Sequence, residues 1–212
     1  MHLFNKYIPL VIKQTVFRMS TTSEHGVGFN REQYFTNLDK FIKKECERPR
    51  NDKLTYDILD TEKIIENKLK ALRTKQYQMK VGEIWQEAVG SYKDCTNLRK
   101  GHKTGLDILS DKRKFIAELK SRTNTDNASS KKTNFDKLAK FKKEHPEYTC
   151  IYANINGVTL EKFSQTTVKK FQHNGVELEH HIGDQFLKYI FGDDTDTVVE
   201  FIKTTIDKYF TW

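Results

Sequence analysis

The stretch Thr104-Gly105-Leu106-Asp107-Ile108-Leu109-Ser110-Asp111-Lys112-Arg113-Lys114-Phe115-Ile116-Ala117-Glu118-Leu119-Lys120 decides the fold. Its apolar-rich runs, 106–109 and 115–119, are short, and a polar tetrapeptide, 111–114, separates them, which is the pattern of a β-hairpin. Side chains two apart on a strand share a face, so Glu118 and Lys120 project together while Phe115, Ala117 and Leu119 face the other way. A four-residue loop opposes Ser110 to Phe115, and the same register carries Asp107 to Glu118. Opposed residues have Cβ atoms about 4.5–5.5 Å apart. A two-residue loop also keeps both acids on one face; a three-residue loop separates them. Two close carboxylates repel unless a cation lies between them, and hard oxygen donors of this kind suit Mg²⁺. Such a site polarises phosphorus and acidifies an attacking water, and Lys120 beside it can stabilise the transition state or orient the nucleophile. The competing interpretation is a solvated hairpin face. Against it, the polar residues interrupt otherwise apolar strands.

Working outward, residues 30–47 place Tyr34, Phe35, Leu38, Phe41 and Ile42 on one helical stripe that Pro49 ends. Asp60 to Tyr77 is a second helical stretch, carrying Ile64, Ile65, Leu69 and Leu72. Val81 to Tyr92 is a third, with Ile84, Trp85, Ala88 and Val89 on one side and Gly90 weakening its last turn. A weak strand falls near Asn97 to Arg99. After the hairpin, Ser121 to Thr133 is a polar loop leading into a helix with Phe135, Leu138, Ala139 and Phe141, which Pro146 stops. Tyr148 to Ile155 alternates as a strand. From residue 80 the order is helix, strand, strand, helix, strand. Leu160 to Gln172 is helix-prone, His173-Asn174-Gly175 is a turn, and two helices follow, Asp184–Phe191 and Asp196–Phe210. The chain thus divides into a helical N-terminal region (1–78, with an arm at 1–28), a core (79–156), and a C-terminal extension (157–212) with two helices packed on the core.

Of 212 residues, 36% are hydrophobic and 12% aromatic, enough for a packed core although 31% are charged. The formal charge of +8 favours polyanionic partners. Three cysteines, Cys46, Cys95 and Cys150, lie far apart with no C-x-x-C spacing, which argues against a zinc finger or a disulfide framework and fits a reducing, cytoplasmic setting. Lys6, Pro9 and Lys13 interrupt the apolar opening stretch, and no later run reaches the about 18 apolar residues of a spanning helix. No Gly-rich phosphate loop occurs. His173, Asn174, His180 and His181 lack the spacing of an HNH site; adjacent His180 and His181 point to opposite faces of a strand.

Leu106-Asp107 followed by Glu118-Leu119-Lys120 resembles the PD-(D/E)XK nuclease motif, and the element order resembles that superfamily's core. The wider text is similar to type II restriction endonucleases: Trp85-Gln86-Glu87-Ala88-Val89-Gly90, Gly105-Leu106-Asp107-Ile108, and Glu118-Leu119-Lys120-Ser121-Arg122-Thr123-Asn124-Thr125. The resemblance spans about residues 80–156, and Leu106 stands at the motif's proline. It implies an α/β (α+β, mixed-sheet) restriction-endonuclease-like core and a type II site-specific deoxyribonuclease, a phosphodiester hydrolase cutting double-stranded DNA at a short sequence. In it Asp107 and Glu118 bind Mg²⁺, Lys120 is the catalytic lysine, and Glu87, with Glu83 as fallback, is the acidic residue of the preceding helix. Arg122, Asn124, Thr125, Asn127, Ser129, Ser130, Lys131 and Lys132 supply phosphate donors and the side-chain types that read guanine and adenine edges. Lys137, Lys140, Lys142 and Lys143 are a solvated face. A homodimer matches a palindromic site, and a cognate DNA methyltransferase is implied without being a physical partner. The rivals are a structure-specific or repair nuclease of the same superfamily and a non-catalytic basic DNA-binding module.

Overall fold

In the computed structural model, which describes residues 28–49, 52–122, 127–156 and 167–210, the hairpin forms part of a six-stranded sheet. The helices are α1 (Arg31–Glu47), α2 (Glu62–Gly90), α3 (Ala128–Glu144), α4 (Gln185–Phe191) and α5 (Thr195–Tyr209). The strands are β1 (Thr96–Asn97), β2 (Ile108–Ser110), β3 (Phe115–Arg122), β4 (Thr149–Asn156), β5 (Thr167–His173) and β6 (Val176–Ile182), in the spatial order β1-β2-β3-β4-β6-β5. β3, β4 and β6 are parallel to one another, and the remaining neighbours are antiparallel.

The alternation of β3 sorts the core into two layers. Phe115, Ala117 and Leu119, with Ile151, Ala153 and Ile155 of β4, bury against α1, α2, α4 and α5. Ile116, Cys150, Tyr152 and Leu178 bury on the opposite face under Leu138 and Ala139 of α3. Glu118 and Lys120 therefore stand on the α3 face, as the strand alternation requires. Arg113, within the hairpin turn, donates to the Tyr189 and Ile190 carbonyls near the end of α4, where a cation complements the helix terminus. Tyr34 of α1 donates its hydroxyl to the Ala88 carbonyl of α2 at 3.0 Å, fixing one helix on the other.

Three elements differ from expectation. The stretches 60–77 and 81–92 are one helix of 29 residues, capped by Thr61 and unbroken across the expected boundary at 78/79. Nothing in Gln78-Met79-Lys80 stops a helix, and a lone glycine such as Gly82 is tolerated. The described part of the helix-prone stretch 160–172 is instead strand, β5, which also takes in His173 of the expected turn, because Asn174-Gly175 has positive φ at both residues (50° and 79°) and folds the segment back on β6 as a hairpin. The segment from 157 onward therefore contributes two strands as well as its two helices; residues 157–166, like the N-terminal arm 1–27, lie outside the described residues. Finally, the polar segment 121–133 divides between the end of β3 and the first turns of α3, which starts at Ala128 behind an Asn127 cap. The glycine at the end of α2 has a packing role: a Cβ on Gly90 would lie 2.4 Å from Asn97 Cβ, so its absence lets β1 close on the helix.

Candidate active site

β2 and β3 pair Ile108 with Ala117, Leu109 with Ile116 and Ser110 with Phe115, the register that a four-residue loop dictates. At Asp107 the backbone turns. Its N–H donates to Ala117 O (3.0 Å), but its carbonyl accepts from Leu98 N on the opposite side (2.8 Å). Direct ladder pairing of Asp107 with Glu118 is thus replaced by a side-chain bond, Leu119 N donating to Asp107 Oδ2 at 2.8 Å. Gln86 of α2 donates its amide to the other oxygen, Oδ1, at 3.0 Å.

Glu118 is 5% exposed. Its Oε1 accepts Lys120 Nζ at 2.7 Å, and its Oε2 is buried without a hydrogen-bond partner among the described residues. Burial raises the Glu118 pKa, the nearby Asp107 charge raises it further, and Lys120 and Lys137 pull it back. Lys137, expected on a solvated face, instead donates to the Gly105 carbonyl at 3.1 Å and so stands by the segment that leads into Asp107. A cleft of about 430 Å³ opens beside these groups, lined among others by Lys75, Gln78, Gln86, Lys120 and Ser121. A larger cavity, about 500 Å³, lies between α2 and α5 and has neither acid in its wall. Neither acid is in the wall of the smaller cleft either, but that wall includes Gln86 and Lys120, the side chains bonded to Asp107 and Glu118.

The structure brings Asp107, Glu118 and Lys120 together and adds Gln86 and Lys137. Glu87 turns toward Asn97 Nδ2 (3.2 Å) and Arg99 (3.5 Å), and Glu83 pairs with Lys100 at 2.8 Å. Gln86 was present in the motif text, but the sequence alone does not fix the rotation of α2 that presents it, rather than its neighbour, to Asp107. Among the described residues no group of three or more His, Cys, Asp or Glu side chains could hold a metal ion. The donor set still fits a hard divalent cation. Mg²⁺ binds through one or two carboxylates and completes its shell with water and phosphate oxygens, and Glu118 Oε2 is an acceptor with no other occupant.

Of the expected DNA contacts, Arg122 is the last residue of β3, and Asn124 and Thr125 lie outside the described residues. Asn127 caps α3 by accepting Ser130 N at 2.8 Å. Ser129, Ser130 and Lys132 stand exposed on the first turns, while Lys131 lies over the rings of Phe135 and Tyr152. His180 and His181 point to opposite faces of β6, as adjacency requires. His180 meets Asn154 Oδ1 at 2.6 Å, and burial together with Lys131 and Lys169 pushes its pKa down to about 4. His181 is buried beside Phe186 and Tyr189. Burial pushes the Cys95 thiol up to about 11, which leaves it a core residue and not a nucleophile.

The family model of the Eco47II restriction endonuclease matches residues 48–208, from before α2 to the end of α5. The chain belongs to the Eco47II restriction endonuclease family. The match includes Asp107, Glu118, Lys120 and Gln86. A relative in Staphylococcus aureus, the type II restriction enzyme Sau96I, is 23% identical over 211 residues, covering 90% of this chain and 75% of that enzyme. Membership makes the protein a type II restriction endonuclease, a site-specific deoxyribonuclease. Its mixed sheet with helices on both faces is the α/β architecture consistent with that family. Among the described residues no helix is long and apolar enough to cross a membrane.

Proposed function

We propose that this endonuclease hydrolyses phosphodiesters in double-stranded DNA at a short specific sequence, with Mg²⁺ held by Asp107 and Glu118 and with Lys120 at the scissile phosphate. The observation that carries this is the buried, partnerless Oε2 of Glu118, a carboxylate close enough to Asp107 to feel its charge and bonded to Lys120 through its other oxygen. A carboxylate oxygen with no partner costs about 1–3 kcal/mol or more in a fold, and a ligand it is kept open for explains the cost.

The chemistry a bound Mg²⁺ supplies is charge neutralisation, polarisation of a phosphoryl oxygen and a more acidic water. The chain's own residues do the positioning. Gln86 and the Leu119 amide hold the two Asp107 oxygens, so this carboxylate is oriented before substrate arrives. Lys120, held by Glu118, stabilises the charge that builds on the phosphoryl oxygens and helps orient the attacking water. Glu87 could join as a third acid only by leaving Asn97 and Arg99. The N-terminal turns of α3 supply phosphate contacts through Ser129, Ser130 and Lys132, where a helix N-terminus favours an anion. Lys131 adds positive potential, and Arg122, Asn124 and Thr125, two to five residues after Lys120 in the sequence, are the side chains assigned to base edges. The enzyme acts as a homodimer.

The deciding experiment is digestion of plasmid DNA with and without Mg²⁺. Discrete bands that disappear with chelator and in Asp107→Ala and Glu118→Ala support the proposal; normal cutting by either variant refutes the site. A smear or junction-specific cut would favour the structure-specific rival, and binding without cleavage the DNA-binding module.

A further inference from the structure

Six of the seven large hydrophobic side chains exposed among the described residues fall between Tyr56 and Met79: Tyr56, Ile58, Leu59, Ile64, Leu69 and Met79. Ile58 is 99% and Leu59 79% exposed. They lie on or just before the first half of α2, whose buried residues begin only at Lys80. At about 100° per residue, Ile64, Ile65, Leu69, Leu72 and Met79 occupy one arc about 140° wide, the width of a stripe that normally faces a core. Ile65, Leu72 and Met79 recur every seventh residue, and Leu69 follows Ile65 by four, which is the seam of a helix pair. The fold covers this seam only in part: Ile65 and Leu72 are half-buried, and Ile64, Leu69 and Met79 stand exposed.

We propose that this arm is the surface on which a second copy of the chain docks, the two α2 helices crossing antiparallel about a two-fold axis near Leu69. Charge selects both partner and direction. Glu66 and Arg73 flank the seam on the same side, both are exposed, and neither has a partner within the chain among the described residues. In an antiparallel two-fold pair each flank meets its own copy, so Glu66 of one chain faces Arg73 of the other, twice by symmetry. A parallel pair would set Lys68 against Arg73. Lys68 is also engaged in its own chain, at 2.6 Å from Asp60. Ile65 then packs on Leu72 of the other copy, and Ile58 and Leu59 extend the apolar contact. Gln86 lies 17 residues beyond Leu69, about 26 Å along the helix, so pairing leaves both acidic centres open. The seam meets the cleft only at its last residue, Met79, which lines both, and its assignment does not depend on the catalytic one.

Sedimentation velocity of the full chain, without DNA and at micromolar concentration, tests this. The wild type is expected to be a dimer and Leu69→Arg a monomer with unchanged circular dichroism; Leu69 is 41% exposed, so the fold tolerates the change. Glu66→Arg and Arg73→Glu should each weaken the dimer about tenfold, since each turns two facing pairs repulsive, and the double variant should restore it. A monomeric wild type, or a dimer indifferent to Leu69→Arg, overturns the surface. Single charge reversals without effect, or a double variant that fails to recover, overturn the antiparallel pairing.

Discussion

Replacing Glu118 with glutamine keeps the shape of the side chain and removes its charge, and the structure gives the two consequences opposite signs. Burial and the Asp107 carboxylate raise the Glu118 pKa in the folded protein, so ionisation at neutral pH costs more folded than unfolded. A group with a raised folded pKa contributes stability below its unfolded pKa, about 4.3, and loses it as pH rises through the folded value. The metal-free wild type therefore carries a penalty at pH 7 that Glu118→Gln removes. The amide atom that replaces Oε2 still lacks a partner, so the gain is only the relief of the buried charge and of the Asp107 repulsion; the weakened contact with Lys120 offsets part of it, leaving roughly 1 kcal/mol. For a chain of this size that raises Tm by about 2–4 °C. Saturating Mg²⁺ reverses the order: at a hundred times Kd it stabilises the wild type by about 2.7 kcal/mol, or about 5–11 °C, and leaves the variant unmoved. Differential scanning calorimetry of both proteins, with and without Mg²⁺, reads all four values. The wild-type Mg²⁺ gain should also fade on acidification at a pH above the ordinary glutamate range. A lower Tm for metal-free Glu118→Gln would make the Glu118–Lys120 pair structural, and equal Mg²⁺ gains in the two proteins would remove Glu118 from the metal site.

Gln86→Leu should slow cleavage about 10–100-fold, the usual cost of losing a residue that orients a ligand, with part of the loss recovered by raising Mg²⁺; single-turnover rates across a Mg²⁺ series check it. Arg122→Ala or Asn124→Ala should reduce the preference for the cognate site over single-base variants, by about 1–3 kcal/mol per lost bidentate contact, whereas Lys131→Ala should weaken binding to both and flatten the salt slope; competition binding at several salt concentrations separates the two. Gly90→Ala should lower stability by about 1–3 kcal/mol in denaturant titration, because the added methyl overlaps the backbone and Cβ of Asn97.

The hairpin was legible because its register follows from loop length and a two-residue period, both present in 104–120. The turn of the backbone at Asp107 was not, since it depends on Leu98 supplying the donor that draws the carbonyl away. The Asn174-Gly175 turn announced itself by composition, yet the strand before it was taken for helix: Lys169, Lys170 and Gln172 are good helix formers, and β6 overrides them by pairing. Within the site, Asp107, Glu118 and Lys120 came from local pattern. Gln86 reaches Asp107 from α2 and Lys137 brings its charge near Glu118 from α3, and only the packing of the two helices on the sheet sets their positions.

Helix α2 is also a lever. Its far half stands clear of the core, its near half holds Asp107 through Gln86, and between them, four residues before Gln86, sits Gly82. A Cβ there would touch nothing within 4 Å, so packing does not require the glycine. What it brings is compliance, because glycine is about 0.8–1.0 kcal/mol poorer than alanine at holding a helix. The shaft thus bends most easily where it enters the core, beside the cleft. A load on the far half, from whatever grips it, is felt first as torque at Gly82 and one turn later as a change in how tightly Asp107 is aimed.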